Sequence, residues 1–225
     1  MTKKKSSTRS IARTGHKAVA VPKQLTIGDT EIRPEQFYLI PERHPAGPGP
    51  WGEEPDKLAW TDPATGLACI ILRQGDGTLS GYASVDPGHP LWGFTYDAVP
   101  SAIGKAPHRG IDYAELCSND GPERVRVCHS RPVQMHRSAP QGADRAGHDD
   151  KWWFGFSTSM PGDHVPKGSK PRLHREEGEV YRDLGYVFEQ TRELAAGLSS
   201  VAGGDGGEAG APLQLGSPTT KNDLG

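Results

Sequence analysis

Four histidines are the residues of this sequence most suited to acid–base chemistry. They are His89 in DPGHPLWG, His108 in APHRGIDY, His129 in VCHS and His164 in PGDHVP. An imidazole oriented by a carboxylate can act as a general base near neutral pH. His108 or His129, oriented by Asp163, would therefore form the catalytic pair of a hydrolase. An exposed or locally hydrogen-bonded side chain is the simpler interpretation of each histidine taken alone.

A run of aromatic residues suggests a site for binding rather than for catalysis. Residues 149–166 read DDKWWFGFSTSMPGDHVP, and side chains alternate across a β-strand. One face of the predicted strand holds apolar rings typical of a protein core, those of Trp152, Phe154 and Phe156. The other face holds an indole, a position without a side chain and a hydroxyl, from Trp153, Gly155 and Ser157.

This second face has two interpretations. A glycine within a strand often marks the close approach of a ligand, and an indole beside such a gap is a stacking platform. Alternatively, Gly155 marks a β-bulge and Trp153 packs beneath a proline-rich segment. The stretch His108-Arg109-Gly110 adds a guanidinium beside a glycine, which suits an anionic group. The predicted ligand site therefore consists of six residues: Trp153, Gly155, Ser157, His89, His108 and Arg109.

Motifs of common enzyme and cofactor sites are missing. The sequence contains no G-x-S-x-G, G-x-x-x-x-G-K-[ST], C-x-x-C or H-E-x-x-H pattern. Residues 75–81, GDGTLSG, connect two predicted strands, so they do not form a dinucleotide-binding loop. Cys128 and His129 would point to opposite faces of a strand and could not both bind one ion. The sequence therefore predicts no metal site and identifies no cofactor.

Composition and charge exclude several classes of protein. The chain has 26 basic and 28 acidic residues, which gives no general attraction to nucleic acid or to an anionic membrane. No stretch approaches the roughly 18 consecutive apolar residues of a membrane span, and none resembles a secretory signal, so a cytoplasmic location is expected. Cys69, Cys117 and Cys128 are odd in number and widely spaced, which is typical of reduced thiols.

Several strands must position these residues. The stretch LTIGDTEI predicts a small hairpin and QFYLI a strand, whereas residues 41–55, rich in Pro and Gly, predict a linker or an extended strap. Residues 67–74 and 78–85 are apolar runs separated by GDG, which predicts a central hairpin. Residues 123–130 and 151–157 are predicted as further strands.

A long helix is predicted near the C-terminus. Apolar or small side chains recur there at helical spacing, at Val180, Leu184, Val187, Thr191, Leu194 and Leu198. Carboxylates that would stabilise the positive end of the helix dipole stand at its start, at Glu176, Glu177 and Glu179. Strands followed by one closing helix predict an α+β domain, with a mainly antiparallel sheet of four to six strands covered by that helix.

The predicted domain spans residues 57–199, and residues 25–56 form a hairpin and a strap before it. Residues 1–24 carry seven Lys or Arg residues and no acid, which predicts a disordered basic arm able to make weak, non-specific contacts with nucleic-acid phosphates. A merely solvated tail is the alternative interpretation. Residues 200–225 are rich in glycine and predict a second disordered tail.

Five stretches in order cover roughly residues 58–199: WTDPATGLACIILR, GYASVDPGHPLWG, VCHS, WWFGFSTSMPGD and YRDLGYVFEQTRELAAGL. Together they resemble an uncharacterised family of tailed-phage and prophage proteins. The residues that match the family pattern include His89, His129, Gly162 and Asp163, whereas Ser157 and Met160 replace an Asp and a His. If those two served catalysis in the family, this chain has lost that activity. The resemblance implies a phage origin and a cytoplasmic setting, and no established activity.

Three functions are hypotheses at this point. The first is a non-catalytic phage accessory protein that binds a small polar or anionic ligand, or a host protein, and acts on host metabolism or defence. The second is a hydrolase with His108 or His129 as general base and Asp163 as orienting carboxylate, with or without an assisting metal ion. The third is a nucleic-acid-associated protein that uses the basic arm.

Overall fold

The computed structural model describes residues 20–105, 107–117, 121–128, 150–168 and 178–202. Most of the predicted basic arm (residues 1–19), the candidate His129 and most of the predicted C-terminal tail (residues 203–225) lie outside the described residues.

The described chain is built around a six-stranded antiparallel sheet and one long helix, which confirms the predicted fold class. The strands are β1 (Leu25–Ile27), β2 (Thr30–Ile32), β3 (Gln36–Tyr38), β4 (Lys57–Thr61), β5 (Ala68–Arg73), β6 (Leu79–Val85), β7 (Tyr113–Leu116) and β8 (Trp152–Ser157). The helices are the single turn α1 (Ser101–Gly104) and the long α2 (Leu184–Ala202). The large sheet has the order β3-β4-β5-β6-β8-β7, and β1 and β2 form a separate hairpin.

The central hairpin of the sheet is β5–β6, as its sequence predicts. Gly77 adopts a φ of +86° in the connecting turn, a conformation that few other residues tolerate. The carboxylate of Asp76 accepts a hydrogen bond of 2.9 Å from the backbone N–H of Thr78 and closes the turn. Both strands are buried along their whole length, because each lies between two neighbours in the sheet and is covered on both faces.

Helix α2 covers one face of the sheet and begins later than its sequence pattern predicts. Val180 is not helical: it pairs with Asp163 in an isolated bridge, and its side chain is 49 % exposed. The helix instead begins after Asp183, whose carboxylate accepts a hydrogen bond of 2.9 Å from the Tyr186 backbone N–H. Glu179 therefore precedes the first helical turn, and the predicted dipole contact at this residue is wrong.

The contact between α2 and the sheet depends on a glycine. A Cβ atom at Gly81 would lie 2.2 Å from Thr191 Oγ1 and 2.6 Å from the Phe156 ring. The absence of a side chain at Gly81 of β6 thus lets the helix approach the sheet closely. The buried side chains of α2 that fill this core are Val187, Phe188, Thr191, Leu194, Ala195 and Leu198.

The opposite face of the sheet has its own apolar cluster and carries a disulfide. Cys117 and Cys128 are bonded to each other with a Cα–Cα distance of 5.2 Å, and Cys69 is a buried free cysteine. The prediction of three reduced thiols is therefore wrong for two of them. Cysteine spacing in sequence did not reveal the bridge because the fold brings the end of β7 next to residue 128.

Residues 123–128 form a turn and not the predicted strand. Glu123–Val125 is a single 3₁₀ turn, and the Val125 and Arg126 backbone N–H groups donate to carbonyls within the same segment. Gly121, with a φ of +80°, and Pro122 begin this turn. Val127 still packs against the second apolar cluster, which explains the alternating pattern without a strand.

Residues 25–56 contact the rest of the chain extensively. Ile27 and Ile32 of the small hairpin lie in the same core cluster as α2, and β3 pairs with β4 at the edge of the large sheet. Within the described residues, no helix is long and apolar enough to cross a membrane.

Candidate functional site

The structure brings His108 and Asp163 together. His108 Nε2 lies 2.8 Å from Asp163 Oδ2, and His108 Nδ1 lies 2.8 Å from the Tyr186 hydroxyl oxygen. Arg182 Nε donates to Asp163 Oδ1 over 2.9 Å, and the Met160 backbone N–H donates to Oδ2 over 3.1 Å. The Asp163 side chain is fully buried and that of His108 is 2 % exposed. The pair therefore belongs to a closed, buried network.

This network is not arranged for general-base catalysis. A catalytic imidazole needs one nitrogen within hydrogen-bond reach of the substrate. Both ring nitrogens of His108 already have protein partners, and its burial keeps water and substrate away from the ring. The network instead joins the turn at residues 107–110, the segment at residues 160–163 and the first turns of α2.

The local sequence explains how His108 is held. Its φ of +38° is unusual for a residue other than glycine, and Gly110 follows with a φ of +107°. The Gly110 backbone N–H donates to the Pro107 carbonyl over 2.8 Å, which closes a tight turn. The His108 backbone N–H donates to the side-chain oxygen of Gln190 on α2. The turn is thus fixed to the helix through both the backbone and the imidazole.

His89 also serves as a link to α2. Its Nε2 lies 3.0 Å from the Leu198 carbonyl oxygen, and the Leu91 backbone N–H donates to its Nδ1 over 3.1 Å. The helix contacts of His89 and of His108 are separated by the residues from Gln190 to Leu198, which is about 12 Å along an α-helix. The two histidines therefore do not converge on one ligand.

Trp153 and Gly155 do not line an opening. The alternation of β8 is as predicted, because Phe154 and Phe156 pack in the cluster beneath α2 whereas Trp153 packs in the cluster on the opposite face. Trp153 is 0 % exposed, however, so it offers no platform to a ligand. The gap beside Gly155 is filled by Tyr82, whose Cδ1 would lie 2.3 Å from a Cβ at this position.

The remaining predicted ligand residues are dispersed. The Ser157 hydroxyl donates to the carboxylate of Asp112 at the partly exposed end of β8. Arg109 is exposed, with its guanidinium directed toward Gly162. His129 lies outside the part of the chain that the structure describes. The six predicted ligand residues thus do not form a single site.

A cavity of about 400 Å³ lies elsewhere, within the segment of residues 39–56 that includes the predicted strap. Its volume is within the range of roughly 300–1,000 Å³ that is usual for small-ligand sites. The surface of the cavity is mainly apolar. The residues that line it are Leu39, Pro41, His44, Pro45, Ala46, Gly52 and Asp56.

The polar side of this cavity is an ordered pair of His44 and Asp56. His44 Nδ1 lies 2.8 Å from Asp56 Oδ1, with the histidine side chain 26 % exposed and the carboxylate fully buried. Asp56 immediately precedes β4 and extends the sheet, because its N–H donates to Tyr38 and its carbonyl accepts from Arg73. Asp56 Oδ2 accepts the Ile40 backbone N–H, which fixes the carboxylate further.

Asp56 forms an ion pair with the buried guanidinium of Arg73. Arg73 Nε donates to Asp56 Oδ1 over 2.6 Å, and another guanidinium nitrogen donates to Glu54 over 2.7 Å. The Tyr181 hydroxyl lies between Arg73 and Glu54, with distances of 2.8 and 2.6 Å. Glu54 also accepts the backbone N–H of Leu184 at the start of α2. The cavity wall is therefore connected to the main helix.

Burial and hydrogen bonding shift the pKa values in this cluster. Burial by itself lowers the pKa of Arg73, but hydrogen bonds to Glu54 and Tyr181 outweigh it, and the pKa is raised. Burial, together with the hydrogen bond to Glu54, raises the pKa of the Tyr181 hydroxyl. Tyr181 thus stays protonated and Arg73 stays charged at neutral pH, so that Arg73 keeps both carboxylates paired.

The chemistry available at the cavity follows from this geometry. A buried carboxylate that accepts from one imidazole nitrogen orients the ring and leaves the other nitrogen for a ligand. His44 Nε2, on the far edge of the ring from Asp56, is that second nitrogen. Among the described residues, no group of three or more His, Cys, Asp or Glu side chains is placed to hold a metal ion.

Comparison of the chain with protein-family models, with curated proteins and with solved structures gave no match.

The sequence contained a weak signal for this cavity. His44 stands between Arg43 and Pro45 in a segment that is otherwise rich in Pro and Gly, and two acids and then Asp56 follow it within the same strap. The pattern indicates a linker or an extended strap, because it predicts no regular element there. The carboxylate that orients His44 becomes recognisable only once pairing with Tyr38 and Arg73 places Asp56 next to His44.

Proposed function

We propose that this protein is a binding module, and that its ligand occupies the cavity formed by residues 39–56. One observation carries the proposal: the polar side chains among the described residues that line this cavity, His44 and Asp56, are already joined to each other at 2.8 Å. Asp56 is in turn held by Arg73, so the imidazole needs no rearrangement before it meets a ligand. Such preorganisation lowers the entropic cost of binding.

The lining indicates the class of ligand. Prolines and aliphatic side chains provide an apolar surface for a ring or a short aliphatic body, and His44 provides one hydrogen-bonding point. Neutral His44 with its Nδ1–H on Asp56 accepts from a hydroxyl or amide, whereas protonated His44 donates to an anionic group. The ligand is therefore a small molecule, or a side chain of a host protein, with an apolar body and one polar or anionic group.

A phage accessory role in the bacterial cytoplasm is part of the proposal. The stretches that resemble phage and prophage proteins support it, and a binding module without a catalytic centre fits a protein that acts on host metabolism or defence. A host metabolite or an exposed segment of a host protein would then be the natural occupant of the cavity.

Hydrolysis is the second candidate function, and the His44–Asp56 geometry favours it over the buried His108–Asp163 pair. A buried aspartate that orients a partly exposed histidine is the arrangement of a general base, which would remove a proton from water at Nε2. Hydrolysis of small esters that disappears in His44→Ala but persists in His108→Ala would support this candidate. Absence of turnover by the wild-type chain leaves binding as the function.

Binding can be tested with two simple probes, benzoate and benzyl alcohol, which combine a ring with an anionic or a neutral polar group. Titration of the full chain, followed by the NMR signals of the His44 ring, should give saturable shifts with at least one probe. Comparison of the two affinities distinguishes an anionic from a neutral polar group on the ligand.

A variant that narrows the cavity provides the control. Ala46 lines the cavity and is exposed, so Ala46→Leu should weaken probe binding at least fivefold while the fold is kept. Ala64→Leu places the same side chain on the exposed turn after β4, whereas Asp56 precedes β4, and this variant should bind normally. NMR shifts that do not saturate during the titration, or equal probe binding by both variants, would reject the cavity as the site.

A further inference from the structure

Lys57 is a lysine that the fold removes from water completely. It is the first residue of β4, it is 0 % exposed, and its side chain is on the sheet face opposite α2. Its Nζ donates to the Glu123 carbonyl over 2.7 Å and to the Cys128 carbonyl over 3.4 Å. The ammonium group is therefore held by the backbone of residues 121–128, named here the cover segment.

The cover segment shields Lys57 and lies at the surface, where Val125 and Val127 pack against the second apolar cluster. Among its described residues only Cys128 is fully buried, and the others are partly or fully exposed. Gln36 donates to the Glu123 carboxylate over 2.6 Å, and Arg124 pairs with Glu42 at 2.9 Å in an exposed bridge. Exposed ion pairs contribute little to holding a segment in place.

The disulfide is the covalent attachment of this segment. It joins Cys128, the last described residue of the cover segment, to Cys117 at the end of β7. The Cys128 carbonyl is also one of the two acceptors of the Lys57 ammonium group. Opening of the bridge therefore acts directly on the backbone that covers the amine.

We propose that the Cys117–Cys128 disulfide is a redox latch, and that its reduction uncovers Lys57 as a site for amine modification. A dithiol reductant supplies two electrons and two protons: the S–S bond breaks, two thiols form, and the reductant becomes a disulfide. The cover segment then loses its covalent anchor, and solvent reaches the amine. The proposal is independent of the ligand cavity.

The pKa of Lys57 is lowered while the cover segment shields the amine. Burial lowers the pKa of Lys57 to about 8, against a smaller opposing effect of the Glu123 carboxylate, and Arg126 lowers it further. The Tyr38 hydroxyl, on the neighbouring strand, also faces Glu123, and burial raises its pKa. Opening of the cover segment removes the burial that lowers this pKa, so reduction changes the access of an electrophile to the amine.

Amine labelling of the full chain tests the latch. Oxidised and dithiothreitol-reduced protein would be treated briefly with sulfosuccinimidyl acetate, which acetylates a neutral amine and releases its leaving group, and peptide mass spectrometry would give the rate at each lysine. Lys57 should react at least tenfold faster in the reduced protein. The exposed Lys23 and Lys105 should react at the same rate in both states.

The variant Cys117→Ser/Cys128→Ser extends the test. It should label Lys57 at the fast rate with or without reductant, and a thermal melt shows whether it is folded. If that variant does not fold, the comparison of the two states of the wild-type chain decides alone. Equal Lys57 rates in those two states, or a parallel rise at Lys23 and Lys105 that signals general unfolding, would overturn the proposal.

Discussion

Arg73 and Asp56 form an ion pair in which neither side chain has any exposed surface and Nε lies 2.6 Å from Oδ1. The pair connects the ligand cavity to the protein interior, because the same carboxylate oxygen accepts from His44 and the same guanidinium binds Glu54. Two carboxylates thus depend on a single buried cation.

Arg73→Met should destabilise the protein by about 3–5 kcal/mol, because it leaves Glu54 and Asp56 buried without a positive partner. Urea unfolding of the variant and the wild type measures this difference. Arg33→Met, at an exposed position, is the matched control and should change the free energy of unfolding by less than about 0.5 kcal/mol. A loss below about 1 kcal/mol in Arg73→Met would show that the cluster is not held together by this guanidinium.

Gly155→Ala should lower the free energy of unfolding by about 1–3 kcal/mol, because the new methyl group would lie 2.3 Å from the Tyr82 ring and overlap it. Gly75→Ala is the control, because nothing lies within 4 Å of its added Cβ. In a Tyr82→Ala background the cost at residue 155 should fall, and a double-mutant cycle measures that coupling. Full tolerance of Gly155→Ala would instead indicate an open gap, as a ligand platform requires.

Asp163→Ala should destabilise the protein by about 2–3 kcal/mol, because it removes the acceptor shared by His108 and Arg182 in a buried network. Asp112→Ala removes an exposed carboxylate that accepts from Ser157, so it should cost less than about 1 kcal/mol. Chemical denaturation compares the two. Similar small losses in both variants would mean that the His108 network does not contribute to stability.

Lys57 should make the stability rise with pH between about 8 and 10. Its pKa is lowered from 10.5 to about 8 in the folded chain, so the unfolded chain holds more protons in this window. The cost of burying the charge is fully present below the folded pKa and is relieved as pH rises through it. The slope reaches at most about 1.4 kcal/mol per pH unit.

The difference in unfolding free energy between the wild type and Lys57→Met isolates this contribution. It should increase in favour of the wild type from about pH 8 to about pH 9.5, before the tyrosines ionise in the unfolded chain. Tyr113 and Tyr181, whose pKa values burial raises, occur in both proteins and cancel in the difference. A flat difference would contradict the lowered pKa of Lys57.

The sequence by itself determined the elements that depend on neighbours along the chain. The alternation in residues 152–157 places Phe154 and Phe156 beneath the helix, and the helical spacing from Leu184 to Leu198 marks the stripe that covers them. Apolar periodicity reports which face is buried, and this property is local. The residues that form a turn are also neighbours along the chain, so the β5–β6 hairpin could be predicted from GDG.

Only the tertiary structure decided the role of each candidate binding or catalytic residue. Trp153 and Gly155 are compatible with a platform in sequence, yet the side chain that fills the gap comes from Tyr82 on the adjacent strand. His108 and His44 each pair with an aspartate, at separations of 55 and 12 residues in sequence. The two pairs differ in burial: the His108 side chain is buried, whereas the His44 side chain is partly exposed. The bond between Cys117 and Cys128 likewise depends on where the sheet ends. Contacts of this kind depend on packing between distant segments, which no pattern along the chain encodes.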